Sequence, residues 1–414
     1  MGKISLGKTS GVNMRNLLSQ IAFQKVDRPL SPHLEVSQYL HNRYQNLVNY
    51  PITIFNKIRC RSDIPYVDNL FKRRIILKGL GMTEDNYLSE FYTRVKILSD
   101  FPHNCDYKNG SDLILSTYSL LDLPFLKYQP KDAGRYLTSF VLCIEDINGI
   151  INLGFYRGEI KDGNTIAIFI DPRTDAYRIL TECLKITSKA YISLFNGGPI
   201  ATYISAASKI PDTLDSYLFA NALSPSKITL FKQDPYPAVP STSEIVLYGY
   251  TEGKKITEGP FCEFKGYYSD QTYSYEVKIN KIYTRPDPYF FGIFCGKESG
   301  LNLMQFQNET FMFHQLLTNN LSVKRVIYPL NYFSEFGTII ETEIPTPEIL
   351  KFAMHYDSRS KVFFIVRNAD TIFSDMAIFN FSLFKEIYIK HGVKMGNRMG
   401  ILLDNRNNYE WAEY

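Results

Sequence analysis

The sequence contains 414 residues, of which 45% are hydrophobic and 21% are charged, and its formal net charge is +4. This composition is typical of a soluble globular protein with more than one core, and it argues against an intrinsically disordered chain. Since the positive charge is small and dispersed, it does not indicate a nucleic-acid-binding protein.

No apolar run approaches the roughly 18 residues that a membrane-spanning helix needs. The N-terminal segment MGKISLGKTSG also lacks the apolar core of a signal peptide. The cysteines at positions 60, 105, 143, 183, 262 and 295 show no CxxC spacing, so we expect free thiols. These features predict a cytoplasmic protein.

Residues 1–110 mix helical runs, such as 36–49, with short apolar segments, such as 76–78, which we interpret as a strand. Asn109 and Gly110 mark a break. This stretch predicts an N-terminal α/β domain that covers residues 1–110.

Strand patterns dominate residues 111–305, where apolar and β-branched residues alternate between turn signals. The apolar stripe of residues 176–188 predicts a helix within this region. The strands that we predict are 137–144, 151–157, 164–170, 190–195, 243–250 and 273–279. Residues 306–414 return to α/β alternation, with a helix at 309–317 behind an Asn308 cap and a strand at 361–366.

Two carboxylates stand out in the block EGPFCE, where Gly259 and Pro260 lie between Glu258 and Glu263. On a flat strand, residues five positions apart face opposite ways. A Gly-Pro break can turn the chain so that the two carboxylates converge, and their pKa values are then driven apart. The alternative interpretation is a solvated loop with two surface acids.

Five segments in the same order resemble the UbiD family of decarboxylases, which use prenylated FMN and include 3-octaprenyl-4-hydroxybenzoate and ferulic acid decarboxylases. They are PHLEV at 32–36, INLGFYR at 151–157, PDTLDSYLFA at 211–220, VPSTSEIVLYGY at 239–250 and EGPFCEFKGYYS at 258–269. The resemblance implies a mixed α+β and α/β fold with an N-terminal α/β domain (1–110), a central FMN-binding split β-barrel (111–305) and a C-terminal α/β dimerisation domain (306–414).

The resemblance also implies three catalytic residues: Arg157, Glu258 and Glu263. A guanidinium presents a planar fork that can bind a substrate carboxylate and hold one glutamate ionised, which leaves the other as a proton donor. By this comparison Arg157 binds the carboxylate, Glu263 donates the proton and Glu258 holds the network. The alternative for Arg157 is a surface arginine at a strand end.

The resemblance assigns cofactor contacts to Asn152, Phe155, Arg157, Arg173, Ser208, Lys209 and Arg398. The family holds a divalent metal with an Asn, a His and a Glu, but here only the first position is matched, by Asn152. Asp171 and Asp215 fall near the other two positions. One possibility is that a carboxylate of Asp171 or Asp215 binds Mg or Mn together with Asn152. The other is that no metal is bound and a basic side chain neutralises the flavin phosphate directly, the candidates being Arg173, Lys209 and Arg398.

The resemblance therefore implies a UbiD-like, non-oxidative decarboxylase of an aromatic or α,β-unsaturated carboxylic acid, which forms a homodimer or a higher homo-oligomer and receives its cofactor from a flavin prenyltransferase. Plain FMN stays open as the cofactor. Two other interpretations also stay open: a flavin-binding homologue with lost or redirected activity, and a non-catalytic structural partner in an assembly.

Overall fold

The computed structural model describes residues 12–44, 49–98, 105–108, 112–370, 381–390 and 393–403, and the N-terminal segment considered above as a signal peptide lies outside these ranges. Internal contacts divide the chain into two compact units, Met1–Glu84 with Arg94–Leu303 and Asp85–Thr93 with Met304–Tyr414. The three-domain division stays a prediction. Among the described helices, none combines the length and apolar character needed to cross a membrane.

Helices occur in both units, and local signals account for several of their boundaries. The described helices are α1 (Met14–Leu18), α2 (Glu35–Arg43), α3 (Arg73–Leu80), α4 (Tyr87–Ile97), α5 (Asp175–Thr187), α6 (Ile200–Ala207), α7 (Ser216–Leu223), α8 (Glu298–Thr318) and α9 (Pro347–Tyr356). Helix α5 begins after Thr174, whose side chain accepts a hydrogen bond from the Tyr177 N–H. The helix predicted at 176–188 is thereby confirmed to within one residue.

Two sequence interpretations of helical segments are wrong. The apolar run 76–78, interpreted as a strand, lies inside α3, where Ile76, Leu77 and Leu80 are buried at helical spacing. Asn308 does not cap a helix, because α8 begins ten residues earlier at Glu298. Its side-chain amide donates instead to the Ser334 carbonyl, 2.7 Å away, so it serves a tertiary contact.

The strands in chain order are β1 (Gln24–Val26), β2 (Thr53–Phe55), β3 (Tyr66–Asp68), β4 (Asp106–Lys108), β5 (Ile114–Leu115), β6 (Tyr136–Leu137), β7 (Val141–Glu145), β8 (Ile151–Phe155), β9 (Gly158–Ile160), β10 (Thr165–Ile168), β11 (Ala190–Gly197), β12 (Thr229–Gln233), β13 (Tyr236–Pro240), β14 (Ser243–Thr251), β15 (Lys255–Glu258), β16 (Phe261–Cys262), β17 (Tyr268–Ser269), β18 (Thr272–Thr284), β19 (Phe290–Phe291), β20 (Arg325–Ile327), β21 (Gly337–Glu341), β22 (Val362–Val366), β23 (Phe381–Lys390) and β24 (Val393–Leu403). The strand predicted at 137–144 is therefore two strands, β6 and β7, because residues 138–140 leave the ladder.

Ten of these strands form one antiparallel sheet in the first unit, in the order β6-β9-β10-β18-β14-β11-β7-β8, with β15 and β5 also paired to β18. Strands β8 and β9 stand at nearly opposite ends of this order, yet only Tyr156 and Arg157 connect them. On a flat sheet the six intervening strand spacings would cover roughly 29 Å. A two-residue connection reaches about 10 Å. The sheet therefore curls into a half-barrel, and Arg157 lies where its two ends approach.

Three smaller sheets complete the first unit: β1-β2-β3-β19, β13-β12-β4 and the hairpin β16-β17. The second unit holds a five-stranded sheet in the order β20-β21-β22-β24-β23, in which β21, β22 and β24 run parallel. The strand predicted at 361–366 is confirmed as β22. Its residues Phe364 and Val366 pack with Ile401 and Leu403 of β24 in the core of this unit.

Candidate active site

Arg157 lies in the two-residue connection between β8 and β9, at the point where the curled sheet nearly closes. Its Nε and Nη2 donate to the two carboxylate oxygens of Glu258 at 3.1 and 3.0 Å, and its Nη1 donates to Glu263 Oε1. The guanidinium also lies over the ring of Phe169, 4.3 Å from the centroid. Arg157 is thus the residue on which both acids converge.

Glu258 is the last residue of β15, and its side chain is fully buried. Besides the two bonds from Arg157, it accepts a hydrogen bond of 3.1 Å from the Tyr136 hydroxyl. A buried carboxylate needs such partners, since an unpaired buried charge is strongly destabilising. Burial and the nearby Glu258 carboxylate raise the pKa of Tyr136, which therefore stays a hydrogen-bond donor.

Glu263 lies in the turn of the β16–β17 hairpin, where its N–H donates to the Tyr267 carbonyl at 2.8 Å. Its side chain is 23% exposed, against 0% for Glu258. Burial raises the pKa of Glu263, Arg157 lowers it and Glu258 raises it, and the net shift is upward. Glu263 therefore combines partial access to solvent with a raised pKa, whereas the side chain of Glu258 is fully buried.

Gly259 and Pro260 turn the chain between the two acids, and this turn allows both carboxylates to reach Arg157. Gly259 adopts φ +88°, a left-handed conformation that favours glycine, and an added Cβ would lie 3.2 Å from the Asp270 carbonyl oxygen. Its N–H donates to the buried carboxylate of Glu159 at 3.1 Å. The turn is thus held in place by partners on other strands.

Three partners of this centre, Asp132, Tyr136 and Glu159, were not identified from the sequence. Asp132 accepts a hydrogen bond from the Cys262 N–H, Tyr136 binds Glu258, and Glu159 binds Gly259. Each is more than 90 residues from its partner, so no local periodicity could reveal it. Of the three, Glu159 is the one that the sequence could have suggested, because it is an acidic residue two positions after Arg157.

The segments that carry most of the predicted cofactor residues lie together. The Phe169 N–H donates to the Arg157 carbonyl at 3.0 Å, which joins segment 169–174 to the connection between β8 and β9. The Asp215 carboxylate accepts the Ile151 N–H at 2.8 Å, which joins the loop before α7 to the start of β8. Arg178 of α5 pairs with Asp212 of that loop at 3.5 Å. Three sequence-distant segments, 151–157, 169–178 and 208–215, therefore form one neighbourhood.

Within this neighbourhood the predicted residues differ in orientation and exposure. The alternation of a strand places Asn152 and Phe155 on opposite faces of β8, and Phe155 packs on the Tyr203 ring at 5.7 Å. Ser208 ends α6, where its hydroxyl donates to the Ile204 carbonyl. Lys209 follows it and is exposed.

The two aspartates considered as metal ligands are both bound to other partners. Both oxygens of Asp215 accept backbone N–H bonds, from Ile151 on one side and from Tyr217 and Leu218 on the other. Asp171 binds the guanidinium of Arg173 through two bonds of 2.8 and 2.5 Å. In the described part of the chain, no group of three or more His, Cys, Asp and Glu side chains is arranged to hold a metal.

Arg398 belongs to the second unit, where its side chain is 2% exposed. Its Nε donates to the Ser360 carbonyl at 3.1 Å and its Nη2 to the Asp357 carbonyl at 2.6 Å. The guanidinium also lies 5.0 Å from the centroid of the Phe363 ring. Arg398 therefore ties β24 to the loop before β22 within its own unit.

Residues 107–298 match the family model described as UbiD, 3-octaprenyl-4-hydroxybenzoate carboxy-lyase Rift-related domain. The chain is 27% identical to a 4-hydroxybenzoate decarboxylase polypeptide from Chlamydia pneumoniae over 304 residues, which cover 67% of this chain and 51% of that protein. It is 25% identical to the anhydromevalonate phosphate decarboxylase of Archaeoglobus fulgidus over 343 residues, which cover 82% of this chain and 76% of that protein. Several curated relatives are matched over only 51–61% of their length.

Among solved structures, the chain is similar to an evolved dimeric form of the UbiD-class enzyme HmfF from Pelotomaculum thermopropionicum in complex with prFMN. The TM-score is 0.85 at 20% sequence identity, and 97% of each chain is covered. This similarity confirms the mixed α+β fold, and the family match confirms the resemblance inferred from the sequence. Residues 107–298 therefore form a UbiD-family domain, in a chain whose fold is that of UbiD-class enzymes.

Proposed function

We propose that this chain is a carboxy-lyase that uses prenylated FMN to remove carbon dioxide from an aromatic or α,β-unsaturated carboxylic acid. The observation that carries the proposal is the convergence of Glu258 and Glu263 on Arg157, with Glu258 buried and Glu263 partly exposed with a raised pKa. Two acids held in different environments by one cation can divide the roles of base and acid between them.

Arg157 is the residue that would bind the substrate carboxylate. Its guanidinium has five N–H donors, of which three are directed at the two glutamates. When Glu263 carries a proton, its hydrogen bond with the Arg157 Nη1 is no longer an ion pair and is weaker, so Nη1 can donate to the substrate carboxylate instead. Glu258 keeps Arg157 in place through the other two bonds during this exchange.

Glu263 would deliver the proton that replaces carbon dioxide. Its raised pKa keeps a proton on the carboxyl group at a higher pH than an exposed glutamate would. The side chain is accessible enough to be reprotonated from solvent after each turnover. When bound, prenylated FMN would supply the electron-accepting group that decarboxylation of an unsaturated acid needs.

The chain offers donors that fit a phosphate-bearing flavin. Lys209 is exposed, and the Arg173 side chain is 71% exposed and pairs with Asp171. Exposed pairs of this kind are worth about 0–1 kcal/mol, so Arg173 can exchange Asp171 for a phosphate at little cost. Asn152, Phe155 and Ser208 lie on the same linked segments, and a cofactor contact by Arg398 stays a prediction from the resemblance.

The substrate and the partners are part of the proposal. The named relatives act on 4-hydroxybenzoate and on anhydromevalonate phosphate, an aromatic acid and an aliphatic one, so the match leaves the class of acid broad. A flavin prenyltransferase would supply the cofactor. Homodimerisation through the second unit is proposed by analogy with the dimeric relative.

The test is coexpression with a flavin prenyltransferase, followed by mass spectrometry of the released cofactor and assays of carbon dioxide release from benzoic, cinnamic and heteroaromatic acids. Bound prenylated FMN with decarboxylation of at least one acid supports the proposal. Bound flavin without release of carbon dioxide, and without deuterium exchange into any of the decarboxylated products, points to a homologue with lost activity. Protein that never binds flavin contradicts the proposal.

A further inference from the structure

The hairpin that carries Glu263 is short and needs support from outside. It consists of β16 and β17, which pair at two positions, Phe261 with Ser269 and Cys262 with Tyr268. Isolated two-stranded hairpins are marginal in water, so a pairing of this length does not fix a side chain by itself. The position of Glu263 therefore depends on what holds the hairpin to the rest of the unit.

The support comes from the turn at residues 129–133. Asp132 is 2% exposed, and its Oδ1 accepts the Cys262 N–H at 2.9 Å while its Oδ2 accepts the Gln129 N–H at 2.8 Å. The next residue, Ala133, donates its N–H to the Pro260 carbonyl at 2.8 Å. One carboxylate thus ties its own turn to the residue that directly precedes Glu263.

The Glu258 end of the loop is fixed by a different set of contacts. Strand β15 pairs with β18 up to Glu258, whose carboxylate binds Tyr136 and Arg157. Glu159 holds the N–H of Gly259. The Tyr136 hydroxyl also donates to the Pro260 carbonyl at 3.3 Å, and the Tyr136 ring packs on Phe261. The Asp132 carboxylate binds the next residue, Cys262, which directly precedes Glu263.

We propose that Asp132 is a positioning residue, whose buried carboxylate holds the hairpin so that Glu263 stays against Arg157. The inference rests on the proposed role of Glu263 as proton donor. Asp132 does not touch the carboxyl group of Glu263; it acts through the backbone of Cys262. Replacing it by asparagine turns one acceptor oxygen into an NH₂ group, which cannot accept the second N–H.

Loosening the hairpin has a defined electrostatic consequence. The ionisable groups around Glu263 are Arg157, Glu258, Lys265, Cys262 and Cys295. Burial is the largest cause of the raised pKa of Glu263. A hairpin that moves outward hydrates the carboxyl group, so its pKa falls toward the ordinary value of a glutamate.

The experiment compares wild-type protein with Asp132→Asn by infrared titration of the Glu263 carboxyl band, assigned with Glu263→Gln. It needs neither cofactor nor substrate. The titration of Glu263 should move to lower pH in Asp132→Asn. In flavin-loaded protein with an accepted acid, kcat should fall about tenfold while KM changes little, since a misplacement of about 1 Å costs up to 100-fold.

The matched control is Asp122→Asn, where a carboxylate in the same unit also accepts a backbone N–H in a turn, from Ser119 at 2.7 Å. This variant should leave the Glu263 titration unchanged. Asp132→Glu keeps the acceptor but displaces it by one methylene, and it should give a smaller shift in the same direction.

If Asp132→Asn does not fold, the Glu263 titration of the Asp132→Glu variant tests the inference in its place. A wild-type Glu263 titration in a folded Asp132 variant overturns the inference. If the titration shifts but no acid is decarboxylated by the wild-type holoenzyme, the positioning role stands and the proposed function fails.

Discussion

Arg157 and Glu258 are joined by two parallel hydrogen bonds of 3.1 and 3.0 Å across 101 residues of sequence. The pair links the connection between β8 and β9 to the end of β15, so it fixes the centre to the curled sheet from two sides. Bidentate pairing of this kind restricts the orientation of the guanidinium as well as its position. The third bond, to Glu263, is then the part of the centre that can change during a reaction.

Glu263→Gln should keep flavin binding and abolish turnover, because the amide preserves the shape of the side chain and has no proton to transfer. We expect kcat to fall by roughly 100- to 10,000-fold. The control is Glu335→Gln, at a buried glutamate that binds Arg359 in the second unit. Wild-type rates in Glu263→Gln on a verified acid would remove Glu263 from the role of donor.

Arg157→Lys should lower kcat by about 100-fold or more, since a point charge cannot hold two carboxylates in one plane. Arg325→Lys is the matched control, because Arg325 also bridges two acids, Glu341 and Asp370, on the second unit's sheet. It should leave kcat/KM unchanged. Equal losses in both variants would indicate a general effect on folding rather than a role at the centre.

The rate of decarboxylation should fall as pH rises through the raised pKa of Glu263. The protonated carboxyl is the active form of a donor, so activity is present below this pKa and is lost above it. The measurement is kcat against pH with saturating acid. A rate that increases throughout the same range would show that Glu263 acts as an ionised base.

Asp68 should make folding less favourable as pH rises. It is fully buried on β3, accepts a hydrogen bond from Tyr50 at 2.7 Å, and burial raises its pKa to about 7. Because the folded state holds this proton more tightly than the unfolded chain, stability falls from the ordinary pKa of an aspartate up to about pH 7.

Between pH 5 and 8, Asp68 should lower the free energy of unfolding by a total on the order of 3 kcal/mol, since each unit of pKa difference corresponds to about 1.4 kcal/mol. Asp68→Asn should remove that part of the pH dependence in denaturant unfolding. Asp122→Asn is the control, because desolvation raises the pKa of Asp122 but hydrogen bonds from Ser119 and the charges of Arg61 and Arg135 lower it, and the net shift is downward. A pH dependence unchanged by Asp68→Asn would contradict the burial of an acid with a raised pKa.

Exhaustive EDTA treatment should leave flavin bound, because we propose that the basic side chains of Lys209 and Arg173 hold the phosphate, and both oxygens of Asp215 already accept backbone N–H bonds. Lys209→Gln should weaken flavin binding, since it removes a positive charge that we propose to lie beside the phosphate. Lys227→Gln, at an exposed lysine paired with Asp106, is the control. A stoichiometric divalent ion in elemental analysis of flavin-loaded protein would point back to Asn152 and the aspartates.

Local signals in the sequence predicted α5 and β22, and they predicted the turn that lets Glu258 and Glu263 converge. In each case the information lies within a dozen residues: an apolar stripe, a run of β-branched residues, or a Gly-Pro pair. The run at 76–78 was misread because three apolar residues do not distinguish a strand from a buried helix face.

The contacts that complete the centre could not be predicted in this way. Tyr136 and Asp132 meet the acidic block only after the sheet has curled, and their hydrogen bonds cross more than 120 residues. The pairing of Asp171 with Arg173 spans two residues, yet the sequence left both free to serve a metal or a phosphate. Which of two adjacent charges binds the other is decided by loop geometry.

Tyr156 and Arg157, the two residues between β8 and β9, constrain how this protein can diverge. Tyr156 lies over Gly154, where an added Cβ would come within 2.6 Å of the ring, whereas Arg157 is directed at the two acids. Inserting one residue between Ile151 and Tyr156 would exchange the two sides of the strand and put the phenol of Tyr156 in place of the guanidinium, whereas deleting one would put Gly158 there. The exposed tip around Lys265 and Gly266 has no such restriction. Natural length variation among descendants of this chain should therefore accumulate at the hairpin tip and spare β8.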